Sequence, residues 1–291
     1  MIRKIKIFLE MIKFEHTIFA LPFAFMGALL GAVVMEKRLP QWGEIGWIIL
    51  AMVGARSAAM GLNRVIDSAI DKKNPRTEKR AIPAGLLRAG EVFLFIAVSF
   101  VLLFVASSRL DPICMKLMPV AVIMLVLYSY TKRFTWLCHV FLGLTIGLAP
   151  LGGWVAITGA FDLSAWLLYG SVALWIAGFD IIYACQDFEF DRKEGVYSIP
   201  ARFGLMGALW IARCFHAVTA VGFLALFWMT DLSWGYLLGT AAAAVILFYE
   251  HWLVKKADMT RVQTAFFTMN GVLSMVIFAS SLLDLVVLRQ W

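Results

Sequence analysis

Charge is what this sequence has least of. Only 15% of its 291 residues are Asp, Glu, Lys or Arg, while 62% are hydrophobic and the mean hydropathy is +0.84. Soluble domains run at about 25% charged and about 45–50% apolar, so a soluble globular fold is not expected. Also missing are segments of about ten residues that alternate apolar and polar, which removes a spanning β-barrel. Helices are then the way left to satisfy the backbone in lipid. Cysteine is sparse: Cys114, Cys138, Cys185 and Cys214 lie within or beside apolar segments without CxxC spacing. Neither a zinc site nor a disulfide frame is expected, and all four read as small buried hydrophobes. No low-complexity linker or appended soluble domain interrupts the chain, so residues 1–291 read as one transmembrane domain.

What is present is a recurrence of apolar runs near 20 residues, each long enough to cross about 30 Å of hydrocarbon. They fall near 17–35, 45–67, 90–107, 112–130, 135–157, 164–186, 206–229, 233–254 and 264–288, giving an all-α integral membrane fold of nine spans. With the N-terminus cytoplasmic, the inside segments are 1–16, 68–89, 131–134, 187–205 and 255–263. They hold Arg3, Lys4, Lys6, Lys13, Lys72, Lys73, Arg76, Lys79, Arg80, Arg88, Lys132, Arg133, Arg192, Lys193, Arg202, Lys255, Lys256 and Arg261. The outside segments hold only Lys37, Arg38, Arg109 and Arg289. Eighteen against four is a strong positive-inside bias, and one missed span would scramble it. The net charge of +7 therefore reads as topology, with the bilayer as partner and no nucleic acid. Residues 1–16 mix basic residues with Ile, Phe and Met as an interfacial amphipathic segment does, and the full-length run after them lacks a small-residue cleavage site. The two longest polar segments, 68–89 and 187–205, share the cytoplasmic face, which is where chemistry is expected.

Both segments begin with acids. In Asn63-Arg64-Val65-Ile66-Asp67-Ser68-Ala69-Ile70-Asp71, the i, i+4, i+8 spacing stacks Asn63, Asp67 and Asp71 on one helical face. In Asp180-Ile181-Ile182-Tyr183-Ala184-Cys185-Gln186-Asp187-Phe188-Glu189-Phe190-Asp191, a stripe from Asp180 carries Tyr183, Asp187 and Asp191 and leaves out Glu189. Stacked carboxylates at a hydrocarbon boundary repel, and each costs roughly 2.5–3.5 kcal/mol, so a cation is expected. Magnesium suits hard oxygen donors and completes its shell with water and substrate phosphate oxygens. Two such faces would hold a diphosphate between metal ions and make it a better leaving group.

Basic residues crowd the same face. Arg76 and Arg80 in the 72–80 segment, and Lys132 in the Tyr130-Thr131-Lys132-Arg133 turn, are placed to meet diphosphate oxygens, and Tyr183 on the second acid stripe is a further diphosphate-contact candidate. Arg56 precedes Asn63 by seven residues, on its face and deeper in the membrane. A buried Arg calls for an anion, either an acceptor carboxylate or a structural partner such as Asp180. Of the four histidines, His16 at the start of the first span is kept as an acceptor-side candidate, while His139, His216 and His251 read as packing or single hydrogen bonds. Most aromatic residues read as lipid-facing or interfacial. An ion-coupled transporter would also carry intramembrane acids, but near the midplane rather than at helix ends.

The two clusters resemble the two Asp-rich motifs, NxxxDxxxD and DxxxD, of the UbiA superfamily of intramembrane prenyltransferases. The likeness extends to Asn74-Pro75-Arg76-Thr77, Arg80-Ala81-Ile82-Pro83-Ala84-Gly85, Tyr130-Thr131-Lys132, Phe14-Glu15-His16-Thr17 with Leu21-Pro22, and Tyr197-Ser198-Ile199-Pro200 with Phe203-Gly204. It is similar to the 4-hydroxybenzoate polyprenyltransferases and to relatives that prenylate a dihydroxynaphthoate. The resemblance implies nine helices around a central cavity and Mg2+-dependent transfer of a prenyl chain from a polyprenyl diphosphate to a small aromatic acid. It assigns metal and catalytic roles to Asp67, Asp71, Asp187 and Asp191 with Asn63, diphosphate contact to Lys132, Arg76 and Arg80, and the acceptor carboxylate to Arg56. One departure is Arg80-Ala81, where ubiquinone-type relatives read Arg-Pro, and the Asn74-Pro75-Arg76-Thr77 and Tyr183–Asp191 wording resembles the menaquinone type.

Overall fold

The computed structural model describes every residue except 1, 13–16, 231, 255–261, 263 and 290–291. Among the described residues the regular elements are all helices, in the order α1 (Ile2–Met11), α2 (Thr17–Glu36), α3 (Trp42–Ile66), α4 (Ser68–Asp71), α5 (Ala89–Ser107), α6 (Pro112–Thr131), α7 (Cys138–Thr158) and α8 (Leu163–Ala184). A 3-10 turn (Cys185–Asp187) leads into α9 (Phe188–Glu194), followed by α10 (Ile199–Met229), α11 (Trp234–Leu253) and α12 (Asn270–Leu282), the last flanked by π-helical turns at Thr264–Met269 and Leu283–Leu288. Among the described residues eight helical stretches are long and apolar enough to cross a membrane, and α2 supplies the ninth run. The nine expected spans are thus accounted for.

Helix starts follow capping chemistry. Asp111 accepts from the Ile113 amide (2.9 Å) before α6, Asp162 from that of Ser164 (2.7 Å) before α8, and Ser198 from that of Ala201 (3.3 Å) before α10. The seventh span begins earlier than the 206 expected, because α10 opens at Ile199 and turns at Gly204, whose φ of 73° an L side chain resists. Its apolar crossing starts after that turn, which is why hydropathy placed it there.

The bundle core joins α2, α7, α8, α10, α11 and α12 around Phe23, Trp154, Trp175, Phe223 and Tyr236, all fully buried. Backbones close up where side chains vanish: a Cβ on Gly27 would lie 2.0 Å from the Pro150 carbonyl oxygen, and one on Gly153 would lie 2.1 Å from that of Ala24. Small residues are how membrane helices gain contact when lipid is as apolar as leucine. A polar seam crosses the same core, with Trp175 donating to Asn270 (2.7 Å), Asn270 to Glu250 (3.0 Å), and His216 within 3.0 Å of His251. Outward, Val98, Val101, Ile123, Val221, Val245 and Phe248 form an exposed apolar belt suited to acyl chains. The cysteines divide differently from the expectation: Cys185 is buried, Cys114 and Cys138 are half-buried, and Cys214 is exposed on the lipid-facing side of α10.

Four polar segments gather at one end. Lys4 of α1 pairs with Glu91, Arg64 Nε donates to the Met11 carbonyl (3.3 Å), and the Tyr197 amide donates to the Lys132 carbonyl (2.9 Å). Phe8 of α1 stacks on Phe95, with ring centroids 5.0 Å apart, so the apolar side of α1 rests on protein. The fifth segment, 255–263, lies almost wholly outside the described residues.

Candidate active site

Both acid clusters face one cavity of about 750 Å³ at that end. Helix α3 stops at Ile66, yet i to i−4 hydrogen bonds run on through the joint, from Asp67 N to Asn63 O (2.9 Å) and from Asp71 N to Asp67 O (2.8 Å). Asn63, Asp67 and Asp71 therefore stay stacked as their spacing requires, and Asn63 Nδ2 donates to Asp67 Oδ2 at 2.6 Å. Across the cavity, the 3-10 turn after α8 keeps Asp180, Tyr183, Asp187 and Asp191 on the lining, and Glu189 points outward, off the stripe.

Each carboxylate meets a cation or a hydroxyl. Lys132 Nζ lies 2.6 Å from Asp67 Oδ2, Arg80 Nη1 lies 2.8 Å from both oxygens of Asp71, and Ser198 donates to Asp191 at 2.7 Å. Arg76 reaches across from the 72–88 loop to Asp187, with Nε 2.8 Å from Oδ1 and Nη2 on Oδ2, and its Nη1 donates to the Tyr183 hydroxyl (3.0 Å). Asn74 adds a bond to Asp187 Oδ1 (2.9 Å). One loop thus ties the first cluster to the second. Burial drives the Asp67 carboxyl above the ordinary carboxylate range, against the pull of Lys132. Burial acts to lower Arg76, but its bonds and attraction to Asp187 hold it net above the usual value.

The donor set suits magnesium. Asn63, Asp67, Asp71, Asp187 and Asp191 offer only hard oxygens, and Asp67 Oδ1 is buried without a hydrogen-bond partner, as an oxygen reserved for a cation would be. Among the described residues no three His, Cys, Asp or Glu side chains converge on one point.

Deeper, Arg56 lines the same cavity. Asp180 is bound to His139, whose Nδ1 lies 2.7 Å from Asp180 Oδ2, so that oxygen is held by protein. Beyond Arg56 the space continues into a second chamber of about 450 Å³, sharing Ala20, Arg56, Met60, Tyr128, Leu142 and Ile146 with the first. Its walls are almost wholly apolar, for example Ile48, Met52, Met118, Leu125 and Ala149. Val120, Phe161 and Trp166 line it and are also exposed on the outside of the bundle, so it opens sideways. His16 lies outside the described residues. Sequence reading missed the roles of Asn74, Ser198 and the His139–Asp180 pair. Only Ser198, in a Ser-Ile-Pro helix start, carried a local signal.

Residues 21–272 match the UbiA prenyltransferase family. The 4-hydroxybenzoate octaprenyltransferase of Aliivibrio fischeri strain MJ11 is 30% identical over 243 residues, 84% of each chain. The mitochondrial 4-hydroxybenzoate polyprenyltransferase of Arabidopsis thaliana is 35% identical over 207 residues, which are 70% of this chain and 50% of that one. The apo structure of a UbiA homologue from Aeropyrum pernix K1 superposes with a TM-score of 0.84 at 33% identity, covering 93% of this chain and 98% of the other. A UbiA homologue from Archaeoglobus fulgidus bound to DMAPP and Mg2+ shares the fold at 18% identity, with a TM-score of 0.75 and coverage of 96% and 99%. A family match across most of the chain, on a bundle whose two Asp-rich helix ends face one cavity, makes this protein a member of the UbiA prenyltransferase family, an integral membrane prenyltransferase.

Proposed function

We propose that the enzyme moves a polyprenyl group from a polyprenyl diphosphate to the ring of an aromatic acid of the 4-hydroxybenzoate type, in ubiquinone or menaquinone biosynthesis. The observation that carries this reading is the continuity of one cavity, from an acid-and-base mouth past Arg56 into an apolar chamber. A diphosphate suits the mouth, an aromatic carboxylate suits the level of Arg56, and an isoprenoid tail suits the chamber, whose sideways opening lets a long chain continue into lipid. The 4-hydroxybenzoate prenyltransferases among its relatives, and the Archaeoglobus fulgidus homologue bound to DMAPP and Mg2+, support the same assignment.

Asn63, Asp67, Asp71, Asp187 and Asp191 would hold Mg2+, which supplies positive charge to the diphosphate and makes it a better leaving group. The chain's own bases add to that pull. Lys132, Arg76 and Arg80 stand at the mouth as donors to phosphate oxygens, and Tyr183 orients Arg76. Arg56 orients the acceptor by its carboxylate, so that a ring carbon beside the hydroxyl faces the allylic carbon. The apolar walls exclude water that would otherwise capture the allylic cation. The Arg80-Ala81 departure, with the Asn74–Thr77 and Tyr183–Asp191 wording, favours as a second reading a dihydroxynaphthoate acceptor in the same position. We place the mouth on the cytoplasmic side of the inner membrane, with residues 1–291 as one domain and α1 at the interface.

The test is prenyl transfer in membranes with Mg2+. Asp67→Ala and Asp187→Ala each reduce turnover by about 100-fold or more, the scale seen when a group acting on transition-state charge is removed. Arg56→Ala raises the acceptor KM while binding of prenyl diphosphate survives. Near-normal turnover by either Asp variant refutes the paired-cluster reading.

A further inference from the structure

Beneath the two clusters the cavity carries one ionisable side chain on each facing helix, and the two have opposite charge. Arg56 lies seven residues before Asn63 on α3, and Asp180 lies seven before Asp187 on α8. Seven residues make about two turns and about 10 Å of rise, so both groups lie on their cluster's own face, one level deeper. Both line the cavity.

Asp180 is held from behind. His139, at the start of α7 and only 4% exposed, sets Nδ1 2.7 Å from Asp180 Oδ2. A carboxylate at Nδ1 fixes the tautomer in which that nitrogen carries the proton and donates it. The Asp180 side chain itself keeps 23% of its surface, and among the described residues Oδ1 accepts no hydrogen bond. A half-open carboxylate at this depth in a membrane bundle is costly unless a donor meets it. One oxygen is fixed by protein and the other is left to the cavity, which is how a ligand-facing acceptor is built.

We infer that Asp180 is the subsite for the ring hydroxyl of the acceptor, and that His139 is its positioning residue. Oδ1 accepts the hydrogen bond of the phenolic O–H, while Arg56 takes the carboxylate at the far side of the ring. The inference rests on the proposed acceptor class, an aromatic acid that also carries a hydroxyl. An anionic acceptor on the phenol raises electron density at the ring carbons beside the oxygen. One of those carbons forms the new bond to the allylic carbon as the C–O bond to diphosphate breaks, with the bonding pair leaving on diphosphate. The same ring carbon then loses its proton to the departing diphosphate, which restores aromaticity. Asp180 keeps its hydrogen bond throughout and takes no net proton.

Benzoate, which has the carboxylate and lacks the hydroxyl, separates this role from a structural one. In the purified full-length enzyme with Mg2+ and a polyprenyl diphosphate, Asp180→Ala should raise the KM for 4-hydroxybenzoate by about 10- to 100-fold, the scale of one charge-assisted hydrogen bond. The inhibition constant of benzoate and the KM for prenyl diphosphate should stay within about twofold. His139→Phe should shift the 4-hydroxybenzoate to benzoate ratio in the same direction by a smaller factor. An unchanged KM for 4-hydroxybenzoate, or an equal loss for both acids, overturns the assignment. If Asp180→Ala does not survive extraction, Asp180→Asn keeps the shape and the same ratio decides. Failure of the acceptor class shows separately, as a wild-type enzyme that prenylates neither 4-hydroxybenzoate nor a dihydroxynaphthoate.

Discussion

At the scale of single residues, Arg76 joins the two clusters. Its guanidinium spans both oxygens of Asp187, reaches the Tyr183 hydroxyl, and lies 5.1 Å from the centre of that ring. Lysine keeps the charge but has neither the fork nor the flat face, so Arg76→Lys is not conservative here. It should raise the KM for prenyl diphosphate by about tenfold or more, on the scale of a lost charge-assisted bond, with the acceptor KM unchanged in steady-state assays. Asp67 carries a pH consequence. Its folded carboxyl lies above the ordinary range because it is buried, so the folded state binds the proton more tightly than the unfolded one. The stability this contributes is present below the unfolded value and is lost as pH rises through the folded one. Magnesium with prenyl diphosphate binds the charged form and offsets that loss. The rise in Tm on adding both should be larger at pH 8 than at pH 5, and an equal rise in thermal-shift assays would count against Asp67 as a ligand. The aspartates themselves were legible in sequence, because helical spacing alone stacks them. Their partners were not, since Arg76 and Asp187 lie 111 residues apart and only the folded loop brings them together.

Elements were more legible than pairings. A membrane leaves the backbone no choice but helix, so hydropathy and charge alternation suffice to place nine runs. The misses have local causes: Gly204 lets α10 begin before its apolar crossing, and α8 tightens into a 3-10 turn that hydropathy does not register. The close approach of α2 to α7 was invisible because glycine reads as neutral in an apolar run. Gly27 and Gly153 let the two backbones nearly touch, and a Cβ at Gly153 would meet the Ala24 carbonyl oxygen at 2.1 Å, where a rotamer change gives no relief. Gly153→Val should therefore destabilise the bundle by about 1–3 kcal/mol or more, the usual cost of overpacking. Detergent melting curves would read this as a lowered Tm. Gly152→Ala, a neighbour with open space at its Cβ, should melt as wild type does.

For the whole molecule, the decisive property is that one end carries the charge, the acids and the cavity mouth together. Basic residues in loops orient a membrane protein during insertion, and in the sequence the segments expected inside hold eighteen against four in those expected outside. Four of the five basic segments meet there in the structure, through Lys4 with Glu91, Arg76 with Asp187, Lys132 with Asp67, and Tyr197 with the Lys132 carbonyl. The force that orients the chain and the contacts that build the mouth therefore act through the same residues. Lys79 is exposed at that end and Arg109 is exposed at the other, and neither is placed in the reaction. With the four cysteines replaced by Ser or Ala, a Lys79→Cys enzyme should react with a membrane-impermeant maleimide in inside-out vesicles and be spared in intact spheroplasts. Arg109→Cys should do the reverse. The opposite pattern would put the mouth outside, away from the cytoplasmic supply of diphosphate substrate, and the charge bias would then have to be explained by something other than insertion.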